Sequence, residues 1–250
     1  MKNKSEYIKF ILPLLIIFFW FIFTYTGKVP PTSLPSLSAV KDTFIEMLKS
    51  GQLSNDLSLS LRRVLAGFFI SSVLGISLGI FMGISSKAKE FFQLTLTAIR
   101  QIPMIAWIPL IILWAGIGET SKIVVILFAA TFPIVVNTMG GVDSTSETYL
   151  EVAKMYGLSK KDTFFKVYLP SALPNIFTGL RLGLGASWMA VVASELIASS
   201  SGIGYRLNDA RSLMRSDVVI VCMIIIGLVG LLMDKLIVLI SHELTPWKKN

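Results

Sequence analysis

The chain has 250 residues, of which 54% are hydrophobic and 15% are charged, and its mean hydropathy is +0.73. This composition is far more apolar than that of an ordinary soluble domain. The formal net charge of +8 is therefore attributed to the basic loops of a membrane protein rather than to a nucleic-acid-binding surface. The single cysteine, Cys222, excludes a disulfide framework and a thiolate metal site.

Several apolar runs approach or exceed the roughly 20 residues that cross a bilayer core of about 30 Å. The sequence therefore predicts an all-α polytopic membrane protein with six transmembrane helices. The first run is predicted to be a retained span, because no small-x-small cleavage site follows it. In chain order, the predicted spans are Phe10–Tyr25, Leu61–Ile84, Leu94–Trp114, Ile123–Asn137, Ile176–Ile197 and Val218–Ile240.

Residues 1–57 are expected to hold the first span and an external linker with a short amphipathic helix at 39–49. Residues 58–240 form the predicted core of five spans with a cytoplasmic hairpin at 144–170, and residues 241–250 form a cytoplasmic tail. Orientation follows from lysine placement. With both termini inside, the inner side receives Lys2, Lys4, Lys9, Lys87, Lys89, Lys154, Lys160, Lys161, Lys166, Lys248 and Lys249. The outer side keeps Lys28, Lys41, Lys49, Lys122, Arg206, Arg211 and Arg215.

The second span carries a stripe of small residues that recur every four positions: Gly67, Ser71, Gly75, Gly79 and Gly83. Gly179 and Gly183 repeat this spacing in the fifth span. Small residues let a neighbouring helix approach closely in a membrane. The stripe predicts helix packing, and a sliding surface for conformational change is the alternative.

Prolines and charged residues mark further positions inside the spans. Pro103 and Pro109 interrupt the third span and Pro133 the fourth, where each favours a kink; the first two are candidates for a gate or pathway. Arg100 and Arg181 lie near predicted inner ends and can extend to the headgroups, while Asp234 and Lys235 lie late in the sixth span.

Glu195 lies near the outer end of the fifth span, just after Ser187 and Trp188, and these three are predicted to lie near the translocation pathway. An acid at membrane depth is a functional-site hypothesis because its desolvation is costly. A capping or pairing role at the interface is the alternative for Glu195.

The segment Glu151 to Pro170, EVAKMYGLSKKDTFFKVYLP, is a polar interruption between two apolar runs. Ser144 with Glu147 predicts a helix start, and Gly157 predicts a left-handed corner. Ser159 with Asp162 marks a second start, and Leu169-Pro170 predicts a stop. One face of the hairpin is expected to lie on the spans of its own chain, its apolar positions being Tyr149, Val152, Ala153 and Tyr156.

This hairpin resembles the signature of permease subunits in bacterial ABC importers: E-A-A, three residues, G, nine residues, I-x-L-P. The chain has Glu151-Val152-Ala153, then Gly157, then Val167-Tyr168-Leu169-Pro170. Val152 and Val167 depart from the pattern by apolar replacements. In that family the segment is the coupling helix that fits a groove on the ATPase subunit. The resemblance therefore implies a coupling role for Glu151, Ala153, Lys154, Gly157, Leu158, Leu169 and Pro170.

The resemblance covers about residues 61–234. The blocks RQIPMIAWIPLIILWAGIGE and ASWMAVVASELIASSSGIGY look like the nitrate/sulfonate/taurine branch of these permeases. It implies a type I importer fold in the cell membrane of a bacterium, with a second copy of the chain and an extracytoplasmic solute-binding protein. Two cytoplasmic ATPase subunits would bind ATP and Mg, and this chain would bind no cofactor. The implied cargo is a small anion, and a thiamine-precursor pyrimidine or riboflavin is the alternative.

Other function classes fit the residues less well. The chain has no GxxxxGK[ST] loop to bind nucleotide phosphates, and no catalytic or metal-ligating set was found. An intramembrane enzyme needs a nucleophile and base at membrane depth, whereas the only histidine, His242, follows the last span. A secondary transporter or channel often shows inverted repeats, and none is evident here. An anionic cargo disfavours Glu195 as a direct contact, so a gate or a structural pairing is expected there.

Overall fold

The computed structural model describes residues 4–27 and 29–247, and its regular elements there are all helical. In chain order the helices are α1 (Lys4–Tyr25), α2 (Leu37–Lys49), α3 (Gln52–Ile84), α4 (Ser86–Arg100), α5 (Met104–Ala115), α6 (Glu119–Asp143), α7 (Glu147–Met155), α8 (Lys160–Thr163), α9 (Leu169–Ala198), α10 (Ile203–Ser212) and α11 (Ser216–Leu244). Lys2, Lys28, Lys248 and Lys249 of the predicted orientation, and the end of the predicted tail, lie outside the described residues.

Four helical segments of the described chain are long and apolar enough to cross a membrane: α3, α6, the continuous run Lys160–Ala198, and α11. Helices α4 and α5 meet the criterion only as a pair, which gives at most five spans. The apolar part of α1, Phe10–Tyr25, belongs to a shorter class of helix. The polytopic all-α fold is therefore present, and the count of six spans stays a prediction.

The third predicted span, Leu94–Trp114, is broken rather than kinked. Helices α4 and α5 meet at an angle of 99°, and Pro103 is the N-cap residue of α5. A proline lacks the N–H that would continue the helix and moves the preceding residue out of the helical region. Pro109 and Pro133 instead lie inside α5 and α6, which continue through them.

Helices α3 and α6 pack side by side in parallel, with their contacts set by the small-residue stripe. An added Cβ at Gly67, Gly75, Gly79 or Gly83 would lie 2.6–2.7 Å from a side-chain carbon of α6. The α6 residue is in each case 59 positions later in the chain, namely Ile126, Ile134, Thr138 and Val142. Ser71 shares this face, is fully buried, and donates to the Gly67 carbonyl oxygen at 2.8 Å.

Helix α9 also packs on α6 and runs antiparallel to it. Gly179 faces Asn137, and Gly183 faces Ile134, the residue that Gly75 of α3 also contacts. Helix α6 therefore packs closely against both α3 and α9, which also contact each other. This layer has two ends: the hairpin end, which carries residues 144–170, and the opposite end, where α3 and α6 begin and α9 finishes.

Short helix α2 begins two residues before the predicted 39–49 segment. The Ser36 hydroxyl accepts a hydrogen bond from the Ala39 N–H at 3.2 Å and forms its N-cap. Its apolar face buries Val40 and Met47. The Thr43 hydroxyl donates to Asp217 at the start of α11 at 2.7 Å, which ties this segment to the opposite end.

Gly79→Ala is expected to lower the stability of the purified protein. The new methyl group would lie 2.8 Å from the Val135 carbonyl oxygen and 2.6 Å from Thr138 Cβ, and overpacking of this kind costs about 1–3 kcal/mol. Thermal unfolding in detergent should show a lower Tm. Gly227→Ala in α11 is the matched control, because nothing lies within 4 Å of its added Cβ. Equal melting temperatures for the two variants would contradict the packing role of the stripe.

Candidate functional site

The first arm of the hairpin is α7, which ends at a glycine corner. Its N-cap is Ser146, two residues after the predicted start at Ser144. Gly157 has φ +66°, the left-handed conformation that the sequence predicted. The Leu158 N–H donates to the Ala153 carbonyl oxygen at 3.0 Å and closes the last turn. A side chain at Gly157 would meet no atom within 4 Å, so backbone conformation rather than space favours glycine here.

The second arm begins at Ser159, whose hydroxyl accepts from the Asp162 N–H at 3.1 Å. The predicted stop at Leu169-Pro170 is wrong, because the helix runs on from Lys160 to Ala198. A π-helical turn, Phe164–Tyr168, precedes the proline and lets the helix continue through it. In this turn the Leu169 N–H donates to the Phe164 carbonyl oxygen, five residues back. The wider turn accommodates a residue that lacks an N–H and cannot bond to the preceding turn.

A cleft of about 850 Å³ opens between α7 and the start of α9. The apolar face of α7 was expected to lie on the spans of its own chain, and this is wrong for most of it. Ala153 is 3% exposed, whereas Tyr149 is 61% and Tyr156 is 83% exposed. These apolar side chains line the cleft, so the face is left open.

The residues assigned to coupling take different positions around this cleft. Glu151 and Lys154 are exposed on α7, and Gly157 forms the corner. Leu158 and Pro170 line the cleft with Ala153. Leu169 instead packs towards the buried cluster of Val142, Ala172 and Ile176. Three of the seven residues therefore line the groove, and Leu169 packs beneath it in the buried cluster.

A buried polar group, the Arg63 cluster, lies at the opposite end of the layer. It consists of Asp56, Ser60, Arg63, Glu119, Lys122, Glu195, Ser201 and Arg206. The Arg63 side chain is 3% exposed and contacts two acids. Its Nη1 donates to Glu195 at 2.6 Å, and its Nε and Nη2 donate to the two Glu119 oxygens at 2.7 and 2.5 Å.

Glu195 is 1% exposed and has three donors around its carboxylate. Besides Arg63, the Ser60 hydroxyl lies 2.8 and 2.9 Å from its two oxygens, and the Gly204 N–H donates at 2.9 Å. Gly202 has φ +104°, and a Cβ there would lie 2.4 Å from the carboxylate. Position 202 must therefore be glycine for the acid to fit.

A second ion pair completes the cluster. The Arg206 Nε donates to Asp56 at 2.9 Å, and the Gly202 N–H donates to the other Asp56 oxygen at 3.2 Å. Three cations, Arg63, Lys122 and Arg206, thus meet three acids, Asp56, Glu119 and Glu195. The cluster ties α3, α6, α9 and α10 together, and its charges balance within the chain.

Sequence reasoning selected Glu195 but not its partners. The signal for Arg63 was the pair of arginines at the start of an apolar run, yet its acids lie 56 and 132 positions away. Asp234 was also noted without a partner; Arg181 of α9 donates to its two oxygens at 2.5 and 2.7 Å. Such long-range pairs cannot be read from local spacing.

Ser187 and Trp188, predicted near the pathway, are buried within the single chain. The Ser187 hydroxyl donates to the Gly183 carbonyl oxygen at 2.9 Å, and Trp188 Nε1 donates to the Ile226 carbonyl oxygen of α11 at 2.9 Å. Pro109 is exposed on α5, whereas Pro103 lines a cavity at the break between α4 and α5. The structure does not bring these residues together with Glu195, and their pathway role stays a prediction.

Within residues 4–27 and 29–247, no group of three or more His, Cys, Asp or Glu side chains could hold a metal ion.

The family relationship follows from comparison with known proteins. Residues 71–245 match the family described as the binding-protein-dependent transport system inner membrane component. The chain belongs to this family. It is therefore a multi-pass ABC importer permease of the inner membrane and is not the ATPase of the transporter. Membership implies an ATPase and a solute-binding protein as partners.

Individual relatives agree with the family. The chain is 37% identical to the putative aliphatic sulfonates transport permease protein SsuC of Bacillus subtilis, over 96% of this chain and 87% of that protein. It is 32% identical to the taurine transport system permease protein TauC of Escherichia coli, over 94% and 87%. A crystal structure of an amino acid ABC transporter with histidines matches with a TM-score of 0.65 at 17% identity, covering 80% of this chain and 98% of that one. The last match shows a type I importer permease fold.

Glu195→Ala is expected to destabilise the protein by about 3 kcal/mol, because removing one partner of a buried pair leaves groups unpaired. Glu119→Ala should cost less, since the Glu119 side chain is 61% exposed and Arg63 would keep Glu195. Thermal unfolding of both variants in detergent measures the difference. A larger loss for Glu119→Ala would contradict a structural role for the buried acid.

Proposed function

We propose that this chain is the permease of an ATP-driven importer of small organic sulfonates, and that the 144–170 hairpin couples it to the ATPase. The observation that carries the proposal is the open apolar cleft of the hairpin. Two helices, a left-handed glycine and a helical run into α9 hold it at one end of a permease fold. An apolar cleft of this kind on a helical hairpin suits a partner protein.

The surface chemistry of the hairpin supports a protein partner. Met155 is 85% exposed and Tyr156 is 83% exposed at the corner, while Phe165 and Trp247 extend the apolar area. Exposed lysines surround them at 154, 160, 161 and 166. A polar rim around aromatic residues and methionine is the usual composition of a protein–protein interface.

The helix that leaves the hairpin supports mechanical coupling. The segment Lys160–Ala198 has 39 residues, which at roughly 1.5 Å per residue corresponds to about 58 Å. It joins the cleft directly to Glu195 and the Arg63 cluster. Closure of two ATPase subunits on bound ATP would push the hairpin, and this helix would carry the displacement to the opposite end. ATP and Mg would reside in those subunits.

The remaining assignments complete the proposed assembly. The permease forms a homodimer, for which the exposed face of α9 with Thr178, Leu182, Gly185 and Met189 offers a surface. Six spans result when α1 and the broken pair α4–α5 each count as one. Both termini and the hairpin lie in a bacterial cytoplasm, because the hairpin end must meet the ATPase. The pathway lies at the dimer interface.

The proposed cargo class rests on relatives rather than on a site geometry. The sulfonate and taurine permeases match nearly the whole chain at 37% and 32% identity. Nitrate is the second small anion of the class. An importer of a thiamine-precursor pyrimidine, or of riboflavin, would need a translocation route that suits an uncharged or bulkier solute.

Gly157→Val is expected to weaken binding of the ATPase subunit at least tenfold while the protein still inserts in the membrane. The left-handed conformation disfavours a β-branched residue by about 1–2 kcal/mol, so the corner would rearrange. Gly157→Asn is the matched control, since asparagine tolerates this conformation. Co-purification with the ATPase measures the effect.

The same assay tests the exposed apolar surface. Tyr156→Ala should weaken co-purification, whereas Leu213→Ala, which removes another exposed apolar residue, beyond the hairpin, should not. Unchanged ATPase binding in both Gly157→Val and Tyr156→Ala would overturn the coupling assignment.

Reconstitution with the ATPase and the solute-binding protein tests the cargo class. Proteoliposomes should take up taurine or butanesulfonate only with ATP and the binding protein. Uptake of nitrate alone would replace the sulfonate assignment with the other anion. Uptake of riboflavin or a pyrimidine alone would overturn the anion class, and uptake without ATP would favour a secondary transporter.

A further inference from the structure

Helix α4 carries three hydrogen-bond donors on one face: Gln93, Thr97 and Arg100. Their spacing of four and then three residues places them in line along the helix. None of the three side chains makes a hydrogen bond or ion pair with another residue of the described chain. We call this line the α4 donor stripe. It runs from the hairpin end towards the break at Pro103.

Two adjoining cavities open along this stripe. One, of about 180 Å³, lies at the break and is lined by Arg100 with Trp107, Phe128 and Phe132. The other, of about 30 Å³, is lined by all three members of the stripe and again by Phe132. Neither has an acidic lining residue. Glu90, the nearest acid along α4, lines neither cavity.

Arg100 differs in this respect from three arginines of the bundle. Arg63, Arg181 and Arg206 each contact a carboxylate of the same chain. Arg100 is exposed in the single chain, as is Arg62 of α3, and neither pairs with an acid among the described residues. Arg100 is distinguished from Arg62 by the two cavities that it lines, where its guanidinium is open to an anion from outside.

We propose that the α4 donor stripe binds the anionic head of the cargo inside the permease, with Arg100 as the residue that selects for a negative charge. The assignment rests on the proposed function, which it deepens by adding a recognition site within the membrane domain. The guanidinium presents a fork of donors that suits oxyanions. Gln93 and Thr97 offer further donors along the exit direction.

The cavity walls favour a small organic anion over a lipid. The larger cavity, about 180 Å³, is below the roughly 300 Å³ at which drug-sized ligand sites begin. The rings of Trp107 and Phe128 lie 5.5 Å apart and give the short carbon chain of a sulfonate an apolar wall. A phospholipid head bound to Arg100 would be the competing occupant, and the experiment separates the two.

Transport in proteoliposomes tests the proposal. Arg100→Gln should raise the KM for taurine and butanesulfonate about tenfold, the value of one charge-assisted hydrogen bond. ATPase activity stimulated by the binding protein should remain. Arg100→Lys should restore part of the affinity, and Thr97→Val should raise KM about threefold. Arg62→Gln, which removes an exposed arginine from α3, is the matched control and should leave KM unchanged.

The outcomes distinguish the possible failures. Wild-type KM in both Arg100→Gln and Thr97→Val overturns the stripe as a binding site while leaving the cargo class intact. If the wild-type protein transports only uncharged solutes, both the binding site and the proposed cargo class are wrong. Measurements in phosphatidylcholine vesicles with and without phosphatidylglycerol test the lipid as the competing occupant. If Arg100→Gln raises KM only when phosphatidylglycerol is present, Arg100 binds a lipid head instead of the cargo. If Arg100→Gln does not assemble, Thr97→Val and Arg100→Lys decide.

Discussion

The close approach of three helices, α3, α6 and α9, is the constraint on which the rest of this structure depends. In a membrane, lipid tails are as apolar as leucine, so helices associate through close van der Waals contact and hydrogen bonds. Glycines on α3 and α9 let both helices reach the side chain of Ile134 of α6. Because α6 is held along its whole length, the hairpin that follows it and the Arg63 cluster at its start occupy defined positions at the two ends.

The two ends of this helical layer differ in which side chains they bury and which they expose. At the opposite end, six charged side chains, four of them buried, compensate one another, which avoids the cost of isolated charges in an apolar surrounding. At the hairpin end, apolar side chains are exposed in the single chain. The first arrangement stabilises the subunit alone, whereas in the proposed coupling role the second is covered by the ATPase. In that proposal the helical run that joins the two ends would carry a displacement of the hairpin to the Arg63 cluster.

Local patterns predicted a large part of this fold. Spacing by four placed the small residues of α3 on one face, and glycine and serine chemistry predicted the corner at Gly157 and the start at Ser159. The errors concern prolines, whose effect on a helix depends on the structure around them. Pro170 was expected to end a helix, but one π-helical turn lets the helix continue. Pro103 was expected to kink a span, but α4 and α5 separate completely. The partners of Glu195 are distant in sequence, so no local signal could pair Arg63 with this acid.

The arginines of the bundle differ in whether a carboxylate of the same chain neutralises them. An arginine that serves only to hold helices together is expected to have its acid on a neighbouring helix, as Arg63 has on α6 and α9 and Arg181 has on α11. Arg100 is the last residue of α4 before the break, and the cavities that it lines have aromatic rings and no carboxylate. No ion pair within the described residues gives Arg100 a bracing role. The proposed importer of anions needs a positive site whose counter-ion arrives and leaves, and an internal acid there would compete with each passing solute.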